Sequence, residues 1–484
     1  MDSLTLDGLS RQIAGARSSI TIVWMLTAGF LIVLMQAGFA LVNTGLVRAK
    51  NVAHTMIMIF LAYAAAILGF WAIGFGFQMG GAGVSGAWGE NGFLFHELTI
   101  TLAGHPLGLL GLGAFFVSPT PSANTLAAVF FLHVAFVSIA TTIPAGAAAE
   151  RWRLSAFVIF SLVIAAIIYP IYAHWVWGGG WLSTLGTNFG LGHGQVDFAG
   201  SSVIHMTGGV IALVAARALG PRLGKYTPRG DVRPIPAHNM PMVVLGTFIL
   251  AFGWFGLTAG SATAGSGMRV ALVAMNTMLA SAAGGMAAYL HTRLRFGKPD
   301  VSMMCNGFLA GMVGISAACA FVSPGSSVLI GVIASGLAIE GALFIERKLR
   351  IDDPVGAGAI HGLGGAWGLL AVGIFANGRS GEGINGVAGP VQGLMAGSAG
   401  QLAASLIGMI ANILWVVPAS AFTLWCIGRI IGTRVSVDDE IAGLDVPELG
   451  MTGYVNESIY MNTTRSGESG REWKSGGQSS VEKM

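Results

Sequence analysis

Asp197-Phe-Ala-Gly200-Ser-Ser-Val-Ile204-His205-Met-Thr-Gly208-Gly209 and Asp353-Pro-Val-Gly356-Ala-Gly-Ala-Ile360-His361-Gly-Leu-Gly364-Gly365 agree without a gap at six positions: the aspartate, one glycine, the isoleucine, the histidine and the closing glycine pair. Each opens a long apolar run. Outward from them, such runs recur near 20–42, 54–78, 123–147, 154–174, 200–219, 238–257, 268–292, 301–321, 325–346, 356–376 and 399–430. Nearly all reach the 18 or so residues that cross a hydrocarbon layer roughly 30 Å thick. The two copies head the fifth and tenth of these eleven runs. Five is odd, so two five-helix blocks insert in opposite senses, which predicts an inverted repeat with a substrate path at its interface. The expected fold is an all-α polytopic membrane protein: eleven transmembrane helices, with spans 1–5 and 6–10 forming the repeat and a long eleventh helix following.

Composition supports the bilayer as solvent. Of 484 residues, 54% are hydrophobic and 10% charged, against about 25% charged in a soluble domain. The 73 glycines read as close helix packing, because small residues let membrane helices approach. A net charge of +3 gives no footprint for nucleic acid. Cys305, Cys319 and Cys426 lie in apolar runs without metal-ligand spacing and read as packing residues.

In each copy the histidine follows its aspartate by eight residues, about 12 Å of helix rise. One enters from each side, so the two can meet near the midplane. A lone membrane histidine more often makes a structural hydrogen bond between helices. A repeat-related pair points instead to function, since a neutral imidazole offers one N–H donor and one acceptor where water is scarce. Asp197 and Asp353 suit helix caps; Asp197, facing a vestibule, can also raise the local attraction for a cation. Two repeat-related histidines also suit bis-histidine haem ligation, which a Soret band in the purified protein would reveal.

Fifteen Lys and Arg residues follow odd-numbered spans, from Arg48 and Lys50 to Arg347, Lys348 and Arg350, and only Arg269 and Arg379 follow even ones. The positive-inside rule then places the N-terminus outside and the C-terminus inside. The segments from about Gly80 to Asn124 and Trp177 to Gln195 hold no Lys or Arg and are expected to shape an outer vestibule. The chain divides into an extracytoplasmic segment (1–19), a transmembrane domain (20–431), a cytoplasmic C-terminal region (432–455) and a polar tail (456–484) of disordered composition.

Further motifs occur in a fixed order: Gly38-Phe-Ala-Leu-Val-Asn-Thr-Gly45-Leu-Val-Arg48-Ala-Lys50-Asn51, Ala149-Glu150-Arg151-Trp-Arg-Leu-Ser155, Trp177-Gly-Gly-Gly180, Gly253-Trp-Phe-Gly-Leu-Thr-Ala-Gly-Ser261 and Asp352-Asp-Pro. Together with the two histidine segments they resemble the Amt/Rh family of ammonium transporters, Amt branch, from about Val23 to Tyr454. The resemblance implies a non-enzymatic transporter or channel for ammonium, or for methylammonium, with no cofactor. It also implies a homotrimer in a cell membrane (plasma or inner), with its C-terminal region open to control by a PII-type signal protein. It maps the pore histidines onto His205 and His361, and an outer recruitment site onto Trp177 and Ser261. There Trp offers a cation–π face and Ser an acceptor for N–H. The family's stacked phenylalanines correspond to Leu132 and Phe136 on one helix and Leu257 on another, so the constriction departs toward a leucine-walled gate. Asn43, where an acid is common, and Thr258, for a frequent Asn, are further departures; in the C-terminal region Leu449 and Met451 replace the usual His and Glu. A sensor of the same fold, binding ammonium with little flux, is the alternative function.

Overall fold

Two five-helix blocks of opposite sense pack side by side, with an eleventh long helix against them. The computed structural model describes residues 6–81, 96–118, 124–262 and 269–454. Among these, ten helices are long and apolar enough to span a bilayer: α1 (Leu6–Leu46), α2 (Ala49–Met79), α3 (Thr125–Ala147), α4 (Leu154–Trp177), α5 (Ser201–Leu219), α6 (Met240–Gly260), α7 (Val270–Phe296), α9 (Pro324–Arg347), α10 (Gly358–Phe375) and α11 (Gly400–Ile430). The eighth, α8 (Val301–Ser316), is shorter. It stops before the expected 321 because the start of α5 docks on its end: Ala199 N–H donates to Ser316 O, and Ser201 Oγ bridges Val313 O and Ala317 N–H. The expected polar tail (456–484) lies outside the described residues.

The first helices of the blocks, α1 and α6, pack along most of their length. A β-carbon on Gly246 would meet Gly38 O at 2.8 Å, and one on Gly253 would meet Leu31 O at 2.6 Å. This is the close approach that small residues permit in membranes. α1 holds 41 residues, roughly 60 Å of helix. It therefore begins inside the segment expected to precede the first span, because nothing between Leu6 and Ile20 breaks a helix.

One end of the bundle gathers the charges. The fully buried Glu150 carboxylate accepts from Arg222 Nη1 (2.9 Å), Asn51 Nδ2 (3.0 Å) and Arg48 Nε. Arg222 then forks onto Asp352 at 2.8 and 2.9 Å. Arg151 donates to the carbonyls of Gly220, Ala149 and Asp352. This one network ties the ends of α1, α3 and α5 to the start of α10.

Beyond α11, two short helices, α12 (Val437–Ala442) and α13 (Asp445–Leu449), strap this charged face. Arg434 donates to Leu219 O and Glu440, Lys50 to Glu440 O and Ile441 O, and Asp445 and Glu448 accept from the backbone N–H groups of His54 and Leu154. At the opposite end the loop expected to form a vestibule contains a hairpin, β1 (Glu97–Leu102) paired antiparallel with β2 (His105–Gly111). It docks on the end of α4 through Trp181 N–H to Gly108 O and Trp175 Nε1 to Leu109 O.

Candidate functional site

The two histidine segments fold alike. Gly200 and Gly356 have φ of +88° and +78°, a left-handed conformation that favours glycine. Asp197 receives the N–H groups of Gly200, Ser202 and Val203 at 2.7–2.9 Å and the Ser202 hydroxyl at 2.6 Å. Asp353 receives those of Gly356 (3.0 Å) and Gly358 (2.7 Å). Both aspartates therefore cap helix starts. Each cap leads into a π-helical turn, Ser201–Met206 and Gly358–Leu363, which carries the histidine. Such wide turns concentrate at functional sites.

The turns bring the imidazoles together. The ring centres of His205 and His361 are 5.2 Å apart with planes 20° from parallel, and both residues are buried. Both His205 ring nitrogens and His361 Nδ1 lack a hydrogen-bond partner among the described residues. A buried polar atom without a partner is costly unless a transient guest supplies one. Trp254 of α6 lies along His205, centroids 4.8 Å apart and planes 13° from parallel, and Phe39 of α1 lies 6.0 Å from His361. With 5.2 Å between ring centres, no iron and porphyrin plane fits between these histidines, so the pair does not suit bis-histidine haem ligation.

Toward the Asp197 end, Trp177 is half-buried and donates its indole N–H to Asp197 O at 2.7 Å. Phe136 lies 5.6 Å from it, and His133, hydrogen-bonded to Gln78, touches both rings. Leu132, Phe136 and Leu257 are buried members of one apolar cluster, against which Trp177 packs. On α6, Trp254, Leu257 and Ser261 follow at helical spacing. Ser261 is half-exposed and its hydroxyl donates to Leu257 O at 2.8 Å. Toward the Asp353 end, a cavity of about 20 Å³ lies beside His361, lined by Phe39, Asn43, Ile143, Leu250 and Ile360 among others.

Four residues beside the histidine pair or Trp177 carry no functional signal in the sequence. Trp254 stood inside a quoted motif, but an aromatic residue in an apolar helix carries no pattern of its own. Phe39 and His133 are likewise placed by helix phase alone. Asn43 was visible only as a polar departure.

An inverted-repeat bundle of membrane-spanning helices with two buried, stacked histidines at its centre is the architecture of a membrane transporter. The chain belongs to the Ammonium Transporter Family, which residues 23–454 match, and its function is ammonium transport. It is 43% identical over 440 residues to ammonium transporter Amt2 of Archaeoglobus fulgidus, covering 90% of this chain and 88% of that one. It is 31% identical to ammonium transporter 1 member 3 of Solanum lycopersicum, covering 91% and 94%. Among solved structures it resembles a protein titled Sensor Amt Protein (TM-score 0.77, 32% identity, 90% of this chain and all of that one). It also resembles Candida albicans Mep2 (TM-score 0.71, 28% identity, 87% of each).

Proposed function

We propose that ammonium collects at the Trp177 face and the Ser261 oxygen, sheds water at the throat walled by Leu132, Phe136 and Leu257, and passes His205 and His361 as ammonia. Removing a cation from water into an apolar throat is penalised far more than removing a neutral molecule of the same size, so dehydration drives NH₄⁺ to NH₃. The released proton either stays with the water of the mouth or follows the ammonia inward, and recording ammonium-triggered current in a bilayer separates the two. The mouth lies outside and the strapped, charged face is cytoplasmic, an orientation that the Lys/Arg distribution supports. The working unit is a homotrimer in the cell membrane, and the strap over that face is where a PII-type signal protein docks. Methylammonium is the second substrate.

The observation that carries this reading is the buried histidine pair with its unpartnered ring nitrogens. Replacing both by alanine removes the paired imidazoles from the proposed path, and flux into reconstituted vesicles then falls to background. Wild-type flux through that double variant would overturn the route. The resemblance to a structure titled as a sensor favours a second reading, in which ammonium binds and flux is negligible. Binding without uptake by the wild-type protein would select it.

A further inference from the structure

α1 runs as one helix from Leu6 to Leu46, and its first part carries Ser10, Arg11, Gln12, Arg17, Ser18 and Ser19, a composition too polar for hydrocarbon. Roughly 20 Å of helix therefore stands in water beyond Ile20, at the end of the bundle opposite the charged network. Between Ile20 and Ala37 the exposed positions of α1 are Ile20, Val23, Thr27, Phe30, Leu34 and Ala37, steps of three and four in strict alternation. The same alternation continues outward through Ala16, Ile13 and Leu9, all exposed. One stripe thus follows α1 from the membrane into water, with Leu9 at 43% and Ile13 at 47% exposure. Lipid can cover its inner half and cannot reach its outer half.

In water a lone helix this short, with Gly8 and Gly15 inside it, is marginal. Its persistence calls for a partner along the stripe, and the spacing states the kind. Alternating steps of three and four make a heptad seam, with Ile13 and Ile20 at a and Leu9 and Ala16 at d. Arg11, Gly15 and Ser18 then fall at the outward c and f positions. Arg17, at e, faces the g position of the next helix, which is Gln12, an amide rather than a second cation. We propose that the extension of α1 packs against the same segment of neighbouring copies as a short parallel coiled coil standing outside the membrane. Copies of one membrane protein insert in the same sense and at the same depth, so their extensions are parallel and in register by construction. A partner of another kind has neither property built in. The coil rests on the homotrimer reading and adds to it a contact outside the bilayer.

The test uses the full-length protein in lipid nanodiscs, with single thiols introduced by Ile13→Cys and Ala16→Cys on the seam and by Arg11→Cys and Ser18→Cys opposite it. Wild type, with Cys305, Cys319 and Cys426, is the control for the natural thiols. Mild oxidation should join the seam variants into disulfide-linked dimers at least several-fold more than the outward variants, which should stay at the wild-type level. A second arm combines Leu9→Asp with Ile13→Asp. These charges on the seam should make the assembly dissociate at lower temperature in detergent, while ammonium uptake per protomer is unchanged. Equal cross-linking at seam and outward positions overturns the coil. So does a probe on Ile13→Cys that lipid-borne quenchers reach, which would show the extension lying on the bilayer. Silent seam thiols in a protein that sizes as a trimer mean that the coil alone is wrong; a protein that sizes as a monomer means that the homotrimer reading is wrong as well.

Discussion

Gly209 of α5 runs so tightly against Gly362 of α10 that a β-carbon on the first would lie 2.1 Å from the backbone nitrogen of the second. The repeat mate of Gly209, Gly365, makes the reciprocal approach: its β-carbon would meet Met206 N at 2.6 Å, and Met206 occupies the same repeat position as Gly362. These crossings hold His205 and His361 at their spacing, because each histidine sits within a helical turn of its crossing glycine. Backbone on both sides cannot give way, so Gly209→Ala forces α5 and α10 apart. Overpacking of this kind costs about 1–3 kcal/mol, and it also separates the imidazoles. Gly209→Ala is expected to melt several degrees lower in detergent and to lose most ammonium uptake. Gly336→Ala, with nothing within 4 Å of its β-carbon, should do neither.

The proposed route gives Trp177 two separable duties. Its indole N–H holds Asp197 O, joining the end of α4 to the start of α5, and its ring, 5.6 Å from that of Phe136, is the proposed recruitment face. A cation over such a face gains about 0.5–2 kcal/mol. Trp177→Leu should therefore raise the ammonium concentration for half-maximal uptake several-fold, while Trp177→Phe, which keeps a ring and loses the hydrogen bond, should lower thermal stability more than it shifts that concentration. Equal half-saturation in Trp177→Leu and wild type would remove recruitment from this ring.

The eleven-run pattern and the match between Asp197–Gly209 and Asp353–Gly365 made the inverted repeat legible, because membrane spans announce themselves by length and repeats by identity at fixed spacing. His205 and His361 came with it. The structure brings Trp177 and Phe136 together, and places Ser261 one turn beyond Leu257. What stayed hidden depends on backbone geometry or helix phase. The π-helical turns follow from an aspartate cap plus a left-handed glycine, neither of which signals a wide turn alone. Trp254 and Phe39 meet the histidines only once α1, α5, α6 and α10 are packed. The β1–β2 hairpin did carry a trace, the alternation Leu98-Thr-Ile-Thr-Leu102 before Ala103-Gly104, but it sits in a glycine-rich stretch read as loop.

The strap across the charged face hangs on backbone donors that side-chain carboxylates receive: Asp445 takes the N–H groups of His54 and Gly453, and Glu448 that of Leu154. Exposed loops without such anchors open readily. Asp445→Ala combined with Glu448→Ala should free the strap, so trypsin cleaves after Arg434 at least several times faster than in wild type, while the melting temperature of the bundle changes little. Unchanged cleavage would mean that Lys50 and Arg434 suffice to hold it.

Asp352 and Arg222 give the protein an acid limit. Burial alone would raise the Asp352 carboxyl, but the hydrogen bonds and charge of Arg222, with Arg151 behind, hold it well below the usual carboxylate range. A carboxyl whose folded value is depressed binds fewer protons folded than unfolded, so its contribution to stability is present above the unfolded value of 3.8 and drains away as pH falls toward the folded one. Removing one partner of a buried pair costs about 3–5 kcal/mol because the other charge is stranded. Asp352→Asn should therefore melt well below wild type at about pH 7, where the carboxylate is fully charged. That gap should narrow only below the unfolded value, where the unfolded wild-type chain takes up a proton at Asp352 that the folded carboxylate does not yet bind. A gap that stayed constant through the acid range would show that the loss comes from altered packing at the start of α10 rather than from the Asp352 charge.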